Sequence, residues 1–256
     1  MPGLLASGIG YLVFVGLDNL TGFGTFSLAI PHLPHFGSPT FGELGWAVVV
    51  GLAATLLGRG IRWGGLFLRP FVQRNLVAFT VIAGLAIAGI AIGFAEVTGQ
   101  SYAAVLFSGQ AELAPLVSHA SSWTIGALVA VVFCKGLAYS ISLSSFRGGP
   151  TFPALFIGGV GGIAMSHLPG LPMVAGIAMG IGAMATVMLN LPLTAVLLAS
   201  LFVASSGVGT IPLIVVAVVV AYVASARFAP VPANANQATE LKEEAAAAGG
   251  GAAPAT

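Results

Sequence analysis

The sequence predicts an all-α polytopic membrane protein built from short, tilted and re-entrant helices. Three observations predict it. Apolar residues fill 57% of the 256 positions and charged residues 6%, with a mean hydropathy of +1.04; a water-soluble domain of that composition would expose large apolar patches. The apolar residues fall into runs, several of them shorter than the roughly 20 residues that a membrane-spanning helix needs. Gly and Pro interrupt those runs, and irregular backbone at membrane depth is tolerated only where it is buried in protein or lines a watery cavity.

Taken in order, helices are expected over 3–17, 43–58, 76–95, 123–143, 151–168, 173–189, 191–206 and 210–227, with a short one over 101–108. The first run has no basic leader and no clear small-residue cleavage site before Asp18, so it reads as a membrane helix that inserts the chain and not as a signal peptide. The loop at 18–42 is bounded by Asp18 and Glu43, contains His32 and His35 and has no Lys or Arg, which places it outside the cytoplasm. After the second helix, Arg59, Arg62, Arg69 and Arg74 hold half of the eight Lys and Arg residues, so this stretch faces the cytoplasm. Its apolar residues, Trp63, Phe67 and Phe71 among them, predict an amphipathic segment lying in the interface. Residues 1–228 are expected to form one transmembrane domain. Residues 229–256 are too poor in large apolar side chains to fold and are expected to form a disordered cytoplasmic tail.

Three G-x-x-x-G spacings, Gly89/Gly93, Gly158/Gly162 and Gly176/Gly180, are read as places where helix backbones approach closely. The few scattered basic residues exclude a nucleic-acid surface. Cys134, the single cysteine, excludes an internal disulfide and reads as a packing residue. His32, His35, His119 and His167 have no metal-ligand spacing, and Glu96 and Glu112 read as solvated end charges. No catalytic constellation, metal site or cofactor motif is present, and the expectation is that the chain is not an enzyme. Tyr222 reads as an interfacial anchor.

The residues that could carry function cluster around a break. Ser144 to Gly162 reads SSFRGGPTFPALFIGGVGG, an arginine and a Gly-Pro interruption directly ahead of an apolar helix. A helix starting at membrane depth presents unpaired N–H groups and the positive end of its dipole to whatever lies in front of it, which suits an anion. Pro150 and Pro153 have no amide hydrogen, leaving the N–H groups of Thr151 and Phe152 as donors. The Thr151 hydroxyl either adds a donor or serves as an ordinary N-cap. Ser142, Ser144 and Ser145 add hydroxyls upstream. Lys135 falls in the middle of a predicted span, where an ammonium costs about 2.5–3.5 kcal/mol. It either snorkels to the cytoplasmic face or lends positive potential to an anion path together with Arg147.

Lys135, the run SLSSFRGGPTFPALFIGG from Ser142 and the run GIGAMATVMLNLPLTAVLLASLF from Gly180, with its Pro192-Leu193-Thr194 element, resemble the C-terminal half of CLC chloride channels and chloride/proton antiporters. The resemblance extends over about 3–227 and implies a CLC-type second half with an anion site where helix N-termini converge. Its matching positions are Gly149, Pro150, Thr151, Phe152 and Pro153, with Lys135 and Arg147 along the path. Thr151 stands where the family usually has phenylalanine, and Pro150 removes an amide the family normally offers. The GSGIP-like and G-[KR]-E-G-P loops of the family's first half do not occur in these 256 residues. The resemblance implies a multi-pass protein of the cell membrane that transports chloride or a similar small anion without a cofactor. It also implies a homodimer formed through helices corresponding to 3–17, 43–58, 191–206 and 210–227, with a separate N-terminal half as a further partner. Proton-coupled exchange and a non-conducting scaffold are the alternatives.

Overall fold

Ten α-helices follow one another through the described residues, which in this computed structural model are 2–22, 28–31, 33–146 and 148–228. They are α1 (Pro2–Thr21), α2 (Phe41–Arg74), α3 (Leu76–Thr98), α4 (Ala103–Leu106), α5 (Gln110–Ser118), α6 (Ile125–Ser145), α7 (Thr151–Ser166), α8 (Met173–Leu189), α9 (Pro192–Phe202) and α10 (Ile211–Phe228). Three 3-10 turns, Ala120–Ser122, Ala204–Ser206 and Val208–Thr210, complete the regular structure, and no strand occurs among the described residues. The chain is an all-α polytopic membrane protein. The segments Phe41–Arg74, Leu76–Thr98, Ile125–Ser145 and Val208–Arg227 are long and apolar enough to cross a bilayer, while α7, α8 and α9 are shorter apolar helices. His32, Arg147 and the tail expected over 229–256 lie outside the described residues.

The centre is the antiparallel pair α7 and α8. Gly158 of α7 lies against Gly180 of α8, and Gly162 against Gly176; a Cβ on any of the four would run into the facing carbonyl. Lipid gives apolar helices no hydrophobic reason to associate, so backbone-to-backbone packing of this kind holds them instead. Every residue of α8 from Val174 to Met188 is buried. Helices α2 and α10 flank α8, α6 bridges α2 and α7, and α3 lies outside α6. Gly89 and Gly93, the third spacing, meet nothing within 4 Å and do not contribute to the seam.

Two sequence expectations change. The interfacial segment expected over 59–74 is the continuation of the preceding helix, and α2 runs unbroken for 34 residues, with Pro70 inside it. The composition shift at Arg59 marks a change of surroundings, not a change of backbone, since Gly58 and Gly60 supply no turn there. The N-terminus of α2 is fixed by a capping box: the Thr40 N–H donates to Glu43 Oε2 at 2.7 Å and the Glu43 N–H to Thr40 Oγ1 at 3.4 Å. Glu43 is therefore the third residue of the helix and buried there, not a loop charge. The second change is α5, which the sequence did not signal; Pro115 lies within it.

Candidate anion site

Residues Lys135, Ala138, Tyr139 and Ser142 recur at helical spacing along one face of α6 and line a cavity of about 430 Å³. Opposite them are Gly148, Gly149, Thr151, Phe152 and Pro153 at the start of α7, and a third wall is formed by Val105, Leu106, Phe107 and Ser108. Pro150 is the N-cap of α7, and the first helical hydrogen bond runs from the Ala154 N–H to the Pro150 carbonyl at 3.1 Å. Proline fits there because its fixed φ suits a helix start and its missing N–H would be unbonded in any case.

Among the described residues the N–H groups of Thr151 and Phe152 have no hydrogen-bond partner, and the Thr151 hydroxyl caps nothing. The N-cap alternative for Thr151 is thereby excluded. Two half-buried amides, one hydroxyl and the positive end of a 16-residue helix border the same space. That is the donor set an anion requires.

Lys135 does not snorkel. Its side chain is 2% exposed, and its ammonium donates to the carbonyls of Ala104 at 2.7 Å, Phe107 at 2.7 Å and Val105 at 3.5 Å. These carbonyls belong to the end of α4, where the chain leaves the helix and no amide follows to bond them. The Nζ atom also lies 4.4 Å from the centroid of the Phe156 ring, a cation–π contact with the second turn of α7. Gly109, at φ +87, lets the chain pass directly over Phe156, where a Cβ would not fit. Lys135 thus ties the 104–107 wall to α7.

The other candidates separate. Ser144 turns its hydroxyl back to the Ile141 carbonyl at 2.6 Å and contacts the Ser145 hydroxyl at 3.1 Å, leaving Ser142 as the serine of the three that lines the cavity. The rings of His119 and His167 are each bonded to a carbonyl of their own helix at 3.0 Å. No cluster of metal-ligating side chains occurs among the described residues. Glu112 lies in the first turn of α5, where a negative charge favours the helix dipole.

Tyr139 was not singled out from the sequence, and Arg62 was read there only as one of four cytoplasm-facing arginines. Tyr139 lines the cavity, and its buried hydroxyl has no hydrogen-bond partner; its place four residues after Lys135 is the signal that could have found it. Arg62 reaches from α2 to the Val187 carbonyl in the last turn of α8 at 3.3 Å.

A family model for voltage gated chloride channels matches residues 1–226. The chain belongs to the voltage-gated chloride channel family. Proteins of this family are channels or transporters rather than enzymes, and chloride transport is their common activity. The match covers all ten helices of this family member apart from the last residues of α10. A comparison with curated proteins found no match.

Proposed function

We propose that this chain carries chloride or a similar small anion across the cell membrane through the cavity in front of α7. The observation that carries this reading is the pair of unbonded amides, Thr151 and Phe152, bordering a cavity with hydroxyls on its opposite wall. Gly149, Pro150 and Pro153 shape the mouth, and Lys135 and Arg147 raise the local potential for anions. Backbone dipoles and hydroxyls replace part of the ion's water shell, so no covalent chemistry is needed.

The working unit in this reading is a homodimer whose transmembrane domain spans 1–228, with a separate polypeptide carrying the family's first half as the candidate additional partner. Passive conduction is the first reading; chloride/proton exchange and a non-conducting scaffold are its rivals. Chloride efflux from liposomes containing the full chain tests it. Thr151→Val is the informative variant, because it keeps the β-branched shape and the helix start yet deletes the hydroxyl donor alone; proline there would delete the amide as well and push Pro150 out of its helical ψ of −10. The expected result is efflux above empty vesicles, reduced at least about tenfold by Thr151→Val, the worth of one hydrogen bond to a charged group. Efflux equal to that of empty vesicles overturns transport by this chain, and proton movement coupled to chloride replaces conduction with exchange.

A further inference from the structure

The antiparallel pairing of α7 and α8 creates an electrostatic problem at the candidate site. Gly158 faces Gly180 and Gly162 faces Gly176. Counting seven residues back from Gly158 reaches Thr151, and seven on from Gly180 reaches Val187, so the amide-rich start of α7 is level with the carbonyl-rich end of α8. Each terminus carries roughly half an elementary charge, positive on α7 and negative on α8, about one helix diameter (~10 Å) apart. Left alone, the end of α8 cancels much of the attraction that α7 offers an anion.

Arg62 occupies that end. Gly58, one turn earlier on α2, has no side chain to hold α2 away from Val187; a Cβ there would come within 2.5 Å of Val187 Cγ1. At this close approach the Arg62 guanidinium donates to the Val187 carbonyl at 3.3 Å. No helical amide follows to bond that carbonyl, because Asn190 turns the chain into the left-handed region at φ 58. Lys135 covers the carbonyls of the 104–107 wall in the same manner.

We infer that Arg62 is a positioning residue for the anion site: by neutralising the carbonyl end of α8 it leaves the field of α7 net positive at Thr151. This rests on the anion site proposed above. Arg62 touches no anion in this scheme and acts through the Val187 carbonyl.

The test is calorimetric titration of potassium chloride into the full chain in detergent, with potassium isethionate as the balancing salt. Arg62→Gln is expected to weaken chloride binding about fivefold, the effect of one charge at ~10 Å in a medium of effective dielectric ~20 after partial screening. Arg62→Lys should stay within about twofold, since charge and not fork geometry is what matters. Arg69→Gln, an arginine about two turns further along the same helix and exposed as Arg62 is, should bind as the unaltered chain does. A second variant guards against misfolding. Arg62→Cys, in a Cys134→Ala background, is labelled with either a cationic or a neutral methanethiosulfonate reagent, so the two samples differ only in charge; the cationic label should restore affinity. Equal affinity of the two labelled samples, or an Arg69→Gln loss matching that of Arg62→Gln, overturns the inference. An unaltered chain that gives no saturable heat overturns the anion site itself, a distinguishable failure.

Discussion

Lys135 is a buried ammonium whose three hydrogens are all engaged by main-chain oxygens. Removing it strands those acceptors, buried with Lys135, without their donor, and each unmade buried hydrogen bond costs about 1–3 kcal/mol. Lys135→Met is therefore expected to destabilise the chain by about 2–4 kcal/mol, read as a lowered midpoint of thermal unfolding in detergent. An unchanged midpoint would show that the ammonium does not hold the wall in place. The position was legible in the sequence, because a charge in mid-span is too costly to lack a partner. Its partners were not: they are carbonyls about thirty residues away, and a main-chain oxygen leaves no mark on residue identity. Arg62 was illegible for a related reason. The positive-inside rule accounts for an arginine at the cytoplasmic edge without asking which helix end it covers. Thr151 and Phe152 could be picked out because the prolines around them reveal which amides are left.

At the scale of elements, the glycine seam decides how α7 and α8 meet. Gly162→Ala puts a methyl group into the Gly176 carbonyl, and the pair must separate. Gly161→Ala, one position away on α7, meets nothing within 4 Å. The first is expected to cost about 1–3 kcal/mol, as overpacking does, and the second to be close to neutral, a contrast measurable by thermal unfolding of the two variants side by side. At the other end of the bundle, Thr40→Ala deletes half of the α2 capping box at a cost of about 1 kcal/mol, measurable in the same way; no change would show that Glu43 suffices. Most helices were legible from apolar runs. The length of α2 was not, because composition changes at Arg59 while the hydrogen-bond ladder continues. Two of the three G-x-x-x-G spacings form the seam, and only folding distinguishes them from Gly89/Gly93 on α3. The spacing alone cannot say what lies opposite.

For the molecule as a whole, the class and the family followed from the sequence: composition dictates the membrane, and the run around Thr151 carries the family resemblance. Assembly leaves a weaker trace, since faces turned to lipid and faces turned to another subunit are equally apolar. Helix α3 is a case in point, with large exposed residues such as Val77, Leu85 and Ile92. The proposed homodimer is expected to sediment as a single species of twice the chain mass in mild detergent at micromolar concentration, and a monomer there would refute it. One feature of the bundle reaches beyond its architecture. At 16 residues α7 is about 24 Å long, less than the ~30 Å of a hydrocarbon core. Where bath water follows the cavity to Thr151 it carries the bath voltage with it, and the transmembrane potential then drops over a thinner layer than the bilayer itself. An ion crossing that layer works against a steeper gradient, with the full ~2.3 kcal/mol per elementary charge per 100 mV compressed into the length of one short helix.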